Sequence, residues 1–157
     1  MDIMVRQAVE TDAKGIAVIL RELEWFDLLN AEDLKHTVSR TQKWLRVCHS
    51  DDSHSVYIAE GEDGRVMGYA SMHWLPYLYL DGPEGYLSEL FIREDDRGHG
   101  IGTLLLEYIK AEAQRRGCSR LMLINMRKQE SYHREFYIKQ NWEEREQAVN
   151  FLLDLTK

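Results

Sequence analysis

A chain of 157 residues is single-domain length and hides roughly 70% of its unfolded surface on folding, and 44% hydrophobic and 30% charged residues with only 2 Pro exclude a disordered or fibrous chain. A net charge of −7 with no long basic block removes the dominant electrostatic term of nucleic-acid binding, and instead favours cationic partners. The opening "MDIMVRQAVETD" lacks the order of a secretory signal, no apolar run approaches the roughly 20 residues that span a bilayer, and Cys48 and Cys118 lack metal-ligand spacing, so one cytoplasmic domain over residues 1–157, without nucleic acid or membrane as partner, is expected.

Alternation in "IMVRQA" predicts a first strand, after which Thr11 offers an N-cap to a helix with Ile16, Ile19, Leu20 and Leu23 on one face. Asn30 is the candidate cap of a second helix, whose stripe of Leu34, Val38, Thr41, Leu45 and Cys48 ends near "HSDDS". Between them "EWFDLLN" reads as a loop. "SVYIAE" and "RVMGYASMHW" are strands joined by the turn "GEDG", an antiparallel hairpin. The mostly apolar "YLSELFI" predicts a strand covered on both faces. A helix with Ile101, Leu104, Leu105, Tyr108 and Ile109 on one stripe follows, and Gly117 is placed to end it. "RLMLIN" makes the next strand, "SYHREFYIKQ" a shorter helix, and "WEER" and "NFLLDL" two closing strands.

The stretch "DDRGHGIGTLLL" joins a strand to a helix N-terminus through closely spaced glycines. Outward-pointing N–H groups and the positive end of the helix dipole make such a turn an anion site, with phosphate the natural ligand. Gly98, Gly100 and Gly102 admit oxygens to a main chain without Cβ atoms, and Arg97 adds a charged donor. A P-loop requires Lys before Ser or Thr, which Thr103 lacks, and the dinucleotide fingerprint requires a different glycine spacing near the start of a βαβ unit.

The spelling R-x-x-G-x-G, here Arg97, Gly100 and Gly102, resembles the loop that holds the acetyl-CoA pyrophosphate in GNAT-superfamily N-acetyltransferases. The likeness extends to "VRQAVETDAKGIAVIL", similar to that family's opening strand and helix, and to "EFYIKQNW", similar to its C-terminal signature. It implies a mixed α/β fold: a largely antiparallel, splayed central sheet of about seven strands with helices on both faces. Where the family often carries Asn and then Gly-Phe around the signature tyrosine, this chain has Glu130 and Asn141-Trp142. Asn tolerates the left-handed conformation that Gly supplies, and Trp replaces Phe in a core.

The resemblance implies transfer of an acetyl group from acetyl-CoA, without a metal, to a primary amine by direct attack in a ternary complex. That chemistry needs a base for the ammonium, a donor for the thioester oxygen and a proton for the departing thiolate. Glu89, on the strand entering the loop, and Glu84 just before it are the candidate bases, and Tyr137 occupies the signature position of the acid. The main chain of Leu90, Phe91 and Ile92 would meet the pantetheine, and Arg97, Gly98, His99, Gly100, Ile101, Gly102 and Thr103 the pyrophosphate. Trp25, Asp27, Trp74, Tyr77 and Tyr79 fall on loops that commonly form the family's acceptor pocket, for a small-molecule or peptide amine, and a homodimer is compatible with the family. A non-catalytic acyl-CoA sensor or interaction module on the same fold is the alternative. His73, His99 and His133 have no metal-ligand spacing.

Overall fold

The alternating and β-branched segments form one sheet in the computed structural model of the chain, which describes residues 2–157. Strands β1 (Ile3–Gln7), β2 (His54–Gly61), β3 (Val66–Leu75), β4 (Glu84–Ile92) and β5 (Arg120–Leu123) lie side by side in chain order. The first three pairings are antiparallel and β4 with β5 is parallel, which is the mixed sheet expected. At the β2–β3 turn Gly64 adopts φ +76° and its N–H donates to the Gly61 carbonyl at 2.9 Å.

Helices cover both faces because neighbouring strand residues point in opposite directions. Ile16 and Ile19 of α1 (Ala13–Glu22) and Leu45 and Cys48 of α3 (Leu34–His49) form one buried cluster with Val56, Ile58 and Tyr69. Tyr57, between Val56 and Ile58, meets Tyr108 of α4 (Ile101–Arg115) on the other face, ring centroids 5.1 Å apart. Two helix starts differ from expectation. Thr11 lies inside a 3-10 turn, Glu10–Asp12, that precedes α1. Asp33 caps α3, its carboxylate accepting the His36 N–H at 2.8 Å. Asn30 instead ends a helical turn inside "EWFDLLN", α2 (Asp27–Asn30), and its amide donates to the Glu24 carbonyl at 3.1 Å.

The sheet forks at β4. Its pairing with β5 runs only from Glu84–Arg120 to Leu87–Leu123, whereas β4 continues to Ile92. Against β3, Ser71 faces Glu89 but Met72 faces Leu87, so Ser88 is the extra residue of a bulge that bends β4 where β5 leaves it.

The chain divides into two packed units, one ending at Ile124 and a second, Asn125–Lys157. The second holds α5 (Glu130–His133) and a 3-10 turn, Ile138–Gln140, because Glu135 at φ +55° interrupts the helix expected through "SYHREFYIKQ". Neither "WEER" nor "NFLLDL" is a strand, so the sheet has five strands where about seven were expected. An apolar run becomes a strand only when a neighbouring backbone takes up its N–H and C=O groups. Phe151, Leu152, Leu153 and Leu155 are instead 82–90% exposed. No helix among the described residues is long and apolar enough to cross a membrane.

Candidate active site

From the end of β4 the chain passes through a 3-10 turn, Glu94–Asp96, into the glycine loop and α4. Gly98 and Gly100 have φ +79° and +80°, and a Cβ on either would meet no atom within 4 Å. Crowding therefore does not demand these glycines. Their left-handed backbone does, and it faces open space that a bulky anion fits. Gly100 is the N-cap of α4, whose first turn contains Ile101, Gly102 and Thr103 and carries the positive end of the helix dipole. The loop is held from behind: Arg97 Nε donates to the Ile92 carbonyl at 3.3 Å, His99 Nδ1 lies 3.2 Å from the Asp96 carbonyl, and buried Asp96 pairs with Arg65 at 2.7 Å. The residues present thus fit a pyrophosphate.

On the α1–α3 side of the sheet a cavity of about 660 Å³ opens over the fork. Its walls are apolar, including Phe26, Leu28, Leu29, Trp44 and Leu45, and its polar lining includes Glu89, Tyr69, Ser71, Ser88 and two histidines. Burial raises the Glu89 carboxyl above the usual carboxylate range. The Tyr69 hydroxyl is fully buried, and burial followed by the Glu89 charge pushes it well up. The two groups stand close enough for each to shift the other, yet among the described residues the Tyr69 oxygen makes no hydrogen bond of normal geometry. His54 is lowered to about 4 by burial and then by His73, which stacks on it at 4.1 Å, so it is neutral at pH 7. Its Nδ1 lies 2.9 Å from Cys48 Sγ and its Nε2 2.7 Å from Ser71 Oγ, while His73 Nε2 lies 3.0 Å from Ser88 Oγ.

Leu90, Phe91 and Ile92 lie on the part of β4 beyond the β5 pairing. Phe91 packs edge-on against Trp25, Phe26 and Tyr69. Glu84 is a residue of β4, 1% exposed, and is ion-paired with Arg120, which also donates to the Tyr79 hydroxyl at 2.9 Å. Tyr77 lies against Tyr79 at 5.5 Å. Trp74 is buried, its Nε1 donating to Ser55 Oγ at 3.0 Å and its ring beneath the Arg116 guanidinium at 4.6 Å. None of Trp25, Asp27, Trp74, Tyr77 and Tyr79 lines the cavity. The hydrogen bonds and stacking that occupy Trp74 and Tyr79 depend on residues distant in sequence. Phe26, Leu28 and Trp44 line it instead, and the stripe of Thr41, Leu45 and Cys48 on α3 was the sequence signal for that wall.

Tyr137 belongs to the second unit. Burial pushes its phenol up to about 12, and its ring meets Phe136 at 5.0 Å and Trp142 at 6.1 Å. Asn141 adopts φ +65°, the left-handed conformation that an Asn in place of Gly requires, and Trp142 follows it into contact with Tyr137. Among the described residues, no three His, Cys, Asp or Glu side chains gather as a metal site.

Thialysine N-epsilon-acetyltransferase of Mus musculus is 27% identical over 128 residues, covering 76% of this chain and 72% of that protein. The fold is shared with a transcriptional regulator from Bacillus halodurans C-125, TM-score 0.82 at 18% identity over 97% of this chain and 100% of that one. It is shared also with ribosomal-protein-alanine N-acetyltransferase from Brucella melitensis biovar Abortus 2308, TM-score 0.75 at 18% identity over 98% and 100%. The profile of the Acetyltransferase (GNAT) family matches residues 18–142, a span that holds the forked strand, the glycine loop and Tyr137. By that match over most of its length, the chain belongs to the GNAT acetyltransferase family.

Proposed function

We propose that the protein transfers an acetyl group from acetyl-CoA to a primary amine by direct attack in a ternary complex. The observation that carries the proposal is the pairing of an open, left-handed glycine backbone at the α4 N-terminus with a cavity floored by Glu89 on the strand that leads into it. Arg97 and the main chain of Gly98 through Thr103 hold the pyrophosphate, and the freed edge of β4 at Leu90–Ile92 binds the pantetheine and offers an N–H to the thioester oxygen.

Acetyl-CoA supplies the thioester when bound. Glu89, its carboxyl raised by burial, takes the proton from the incoming ammonium directly or through water, the freed nitrogen attacks the acetyl carbon, and as the carbon–sulfur bond breaks the nitrogen's second proton passes through water to the departing thiolate. Glu84 is tied to Arg120, and its role in this proposal is structural. Tyr137 serves the sulfur as the carbon–sulfur bond breaks. A phenol near 12 stays protonated throughout the neutral range but is a weaker acid than a thiol, so its contribution is a hydrogen bond to the developing thiolate more than a completed transfer. The proposal extends to cytoplasmic action on a small-molecule or peptide amine, and to a homodimer in which the exposed Phe151, Leu152, Leu153 and Leu155 meet a second copy.

Release of free thiol from acetyl-CoA, dependent on added amine and strongly slowed in Glu89→Gln, tests the reaction. Thiol release that ignores the amine, or an unaltered melting temperature at millimolar acetyl-CoA, overturns it. Sedimentation over a concentration series tests the dimer.

A further inference from the structure

The lining of the acceptor cavity constrains what the amine is attached to. Its charged side chains are Glu89 and Arg40, and Arg40 is already engaged by the Glu32 carboxylate, one nitrogen donating at 2.8 Å. Glu89 is therefore the lone carboxylate of the lining, and it makes no ion pair among the described residues. A second ammonium would have no anion to meet within the lining, and burying an unpaired charge against Leu29 and Leu45 is strongly unfavourable.

The floor is arranged to hold one polar group. The histidines and serines satisfy one another, His54 with Ser71 and His73 with Ser88, and Ser88 Oγ also donates to the Ser71 carbonyl at 3.3 Å. Outside that network lie the Glu89 carboxylate and the Tyr69 hydroxyl. The latter belongs to a side chain 2% exposed, lines the cavity and lacks a hydrogen-bond partner among the described residues. A buried orphan hydroxyl is costly unless a ligand satisfies it. An amine nitrogen donates to the carboxylate and the phenol oxygen together, and the apolar walls, rimmed by exposed Leu28 and Trp44, receive the rest of the molecule. About 660 Å³ is ample for an aromatic ring or a medium alkyl chain.

We infer that the acceptor is a monoamine carried on an apolar body, an arylalkyl or alkyl amine, bound with its nitrogen between Glu89 and Tyr69 and its body against Phe26, Leu28 and Trp44. The inference rests on the acetyltransferase reading for the fate of the amine, but not for its binding. A polyamine, an aminoglycoside or free lysine carries further charge that these walls reject.

The experiment uses the full chain with 2-phenylethylamine, tryptamine and n-octylamine against 1,4-diaminobutane, spermidine and lysine, read by calorimetric binding and by thiol release from acetyl-CoA. At least one apolar monoamine should bind, with kcat/KM at least tenfold above every polycation. Leu28→Asp, a change at a side chain 64% exposed and so tolerable to the fold, should weaken monoamine binding about tenfold and improve 1,4-diaminobutane. Preference for a polycation or lysine overturns the inference while acetyl transfer stands. Absence of binding by all three monoamines overturns it whatever the thiol assay reads. Monoamine binding that is lost in Leu28→Asp, without thiol release for any amine, supports the pocket and defeats the acetyltransferase reading.

Discussion

Replacing Gly100 by Ala separates the strain of a left-handed residue from the loss of a phosphate site. At φ +80° an L side chain costs about 1–2 kcal/mol, and since the new Cβ meets no atom within 4 Å no clash adds to it. At this chain length 1 kcal/mol moves Tm by about 2–4 °C, so the free variant should melt about 2–8 °C lower. Acetyl-CoA at a hundredfold excess over Kd stabilises the native state by about 2.7 kcal/mol. The wild type should therefore gain about 5–11 °C, using the same conversion. In Gly100→Ala the methyl group occupies the space through which phosphate oxygens reach the main chain, and that gain should be largely lost. Gly117→Ala is the control: φ +69°, no atom within 4 Å of its Cβ, and a position at the opposite end of α4. It should show a similar loss in the free protein and the full acetyl-CoA gain. Differential scanning fluorimetry reads both quantities. A full gain in Gly100→Ala, or a lost gain in Gly117→Ala, refutes the assignment of the loop.

Glu89→Gln should lower turnover by about 10²- to 10⁴-fold, the usual contribution of a general base, and remove the acidic limb of the kcat/KM profile, which in the wild type lies above the ordinary carboxylate range. Because the raised carboxyl binds its proton more tightly folded than unfolded, its effect on stability becomes less favourable as pH rises from the unfolded value to the folded one. Glu89→Gln should accordingly melt higher than the wild type at neutral pH, and a lower melting temperature contradicts the burial argument. Tyr137→Phe should reduce turnover about 10- to 150-fold with little change in acceptor KM, the value of a hydrogen bond to a charged group at about 1.5–3 kcal/mol; a rise in KM alone would move the hydroxyl to acceptor binding. Arg120→Met leaves Glu84 buried without its partner and should lower Tm, with Glu84→Leu added in the same chain restoring part of the loss. Strictly additive losses in the double variant would mean that the pair is not coupled.

The glycine loop was legible in the residues themselves because its requirements are local: a left-handed backbone at Gly98 and Gly100, an adjacent helix N-terminus and a nearby arginine can be read from spelling and spacing. The helix stripes and the first five strands were legible for the same reason, since period 3.6 and period 2 are properties of neighbouring residues. Asn141 belongs with them, its left-handed conformation being a local substitute for glycine. Tertiary structure decided what depends on residues far apart in the chain. Whether Glu84 or Glu89 is unpaired follows from Arg120 lying opposite Glu84, while Glu89 faces a cavity walled by α2 and α3. Whether the aromatics of "HWLPYLYL" line the cavity follows from Trp74 being held by Ser55 and Arg116 and Tyr79 by Arg120. "NFLLDL" has the composition of a strand, but a strand exists only when another backbone pairs with it, and composition carries no information about that partner.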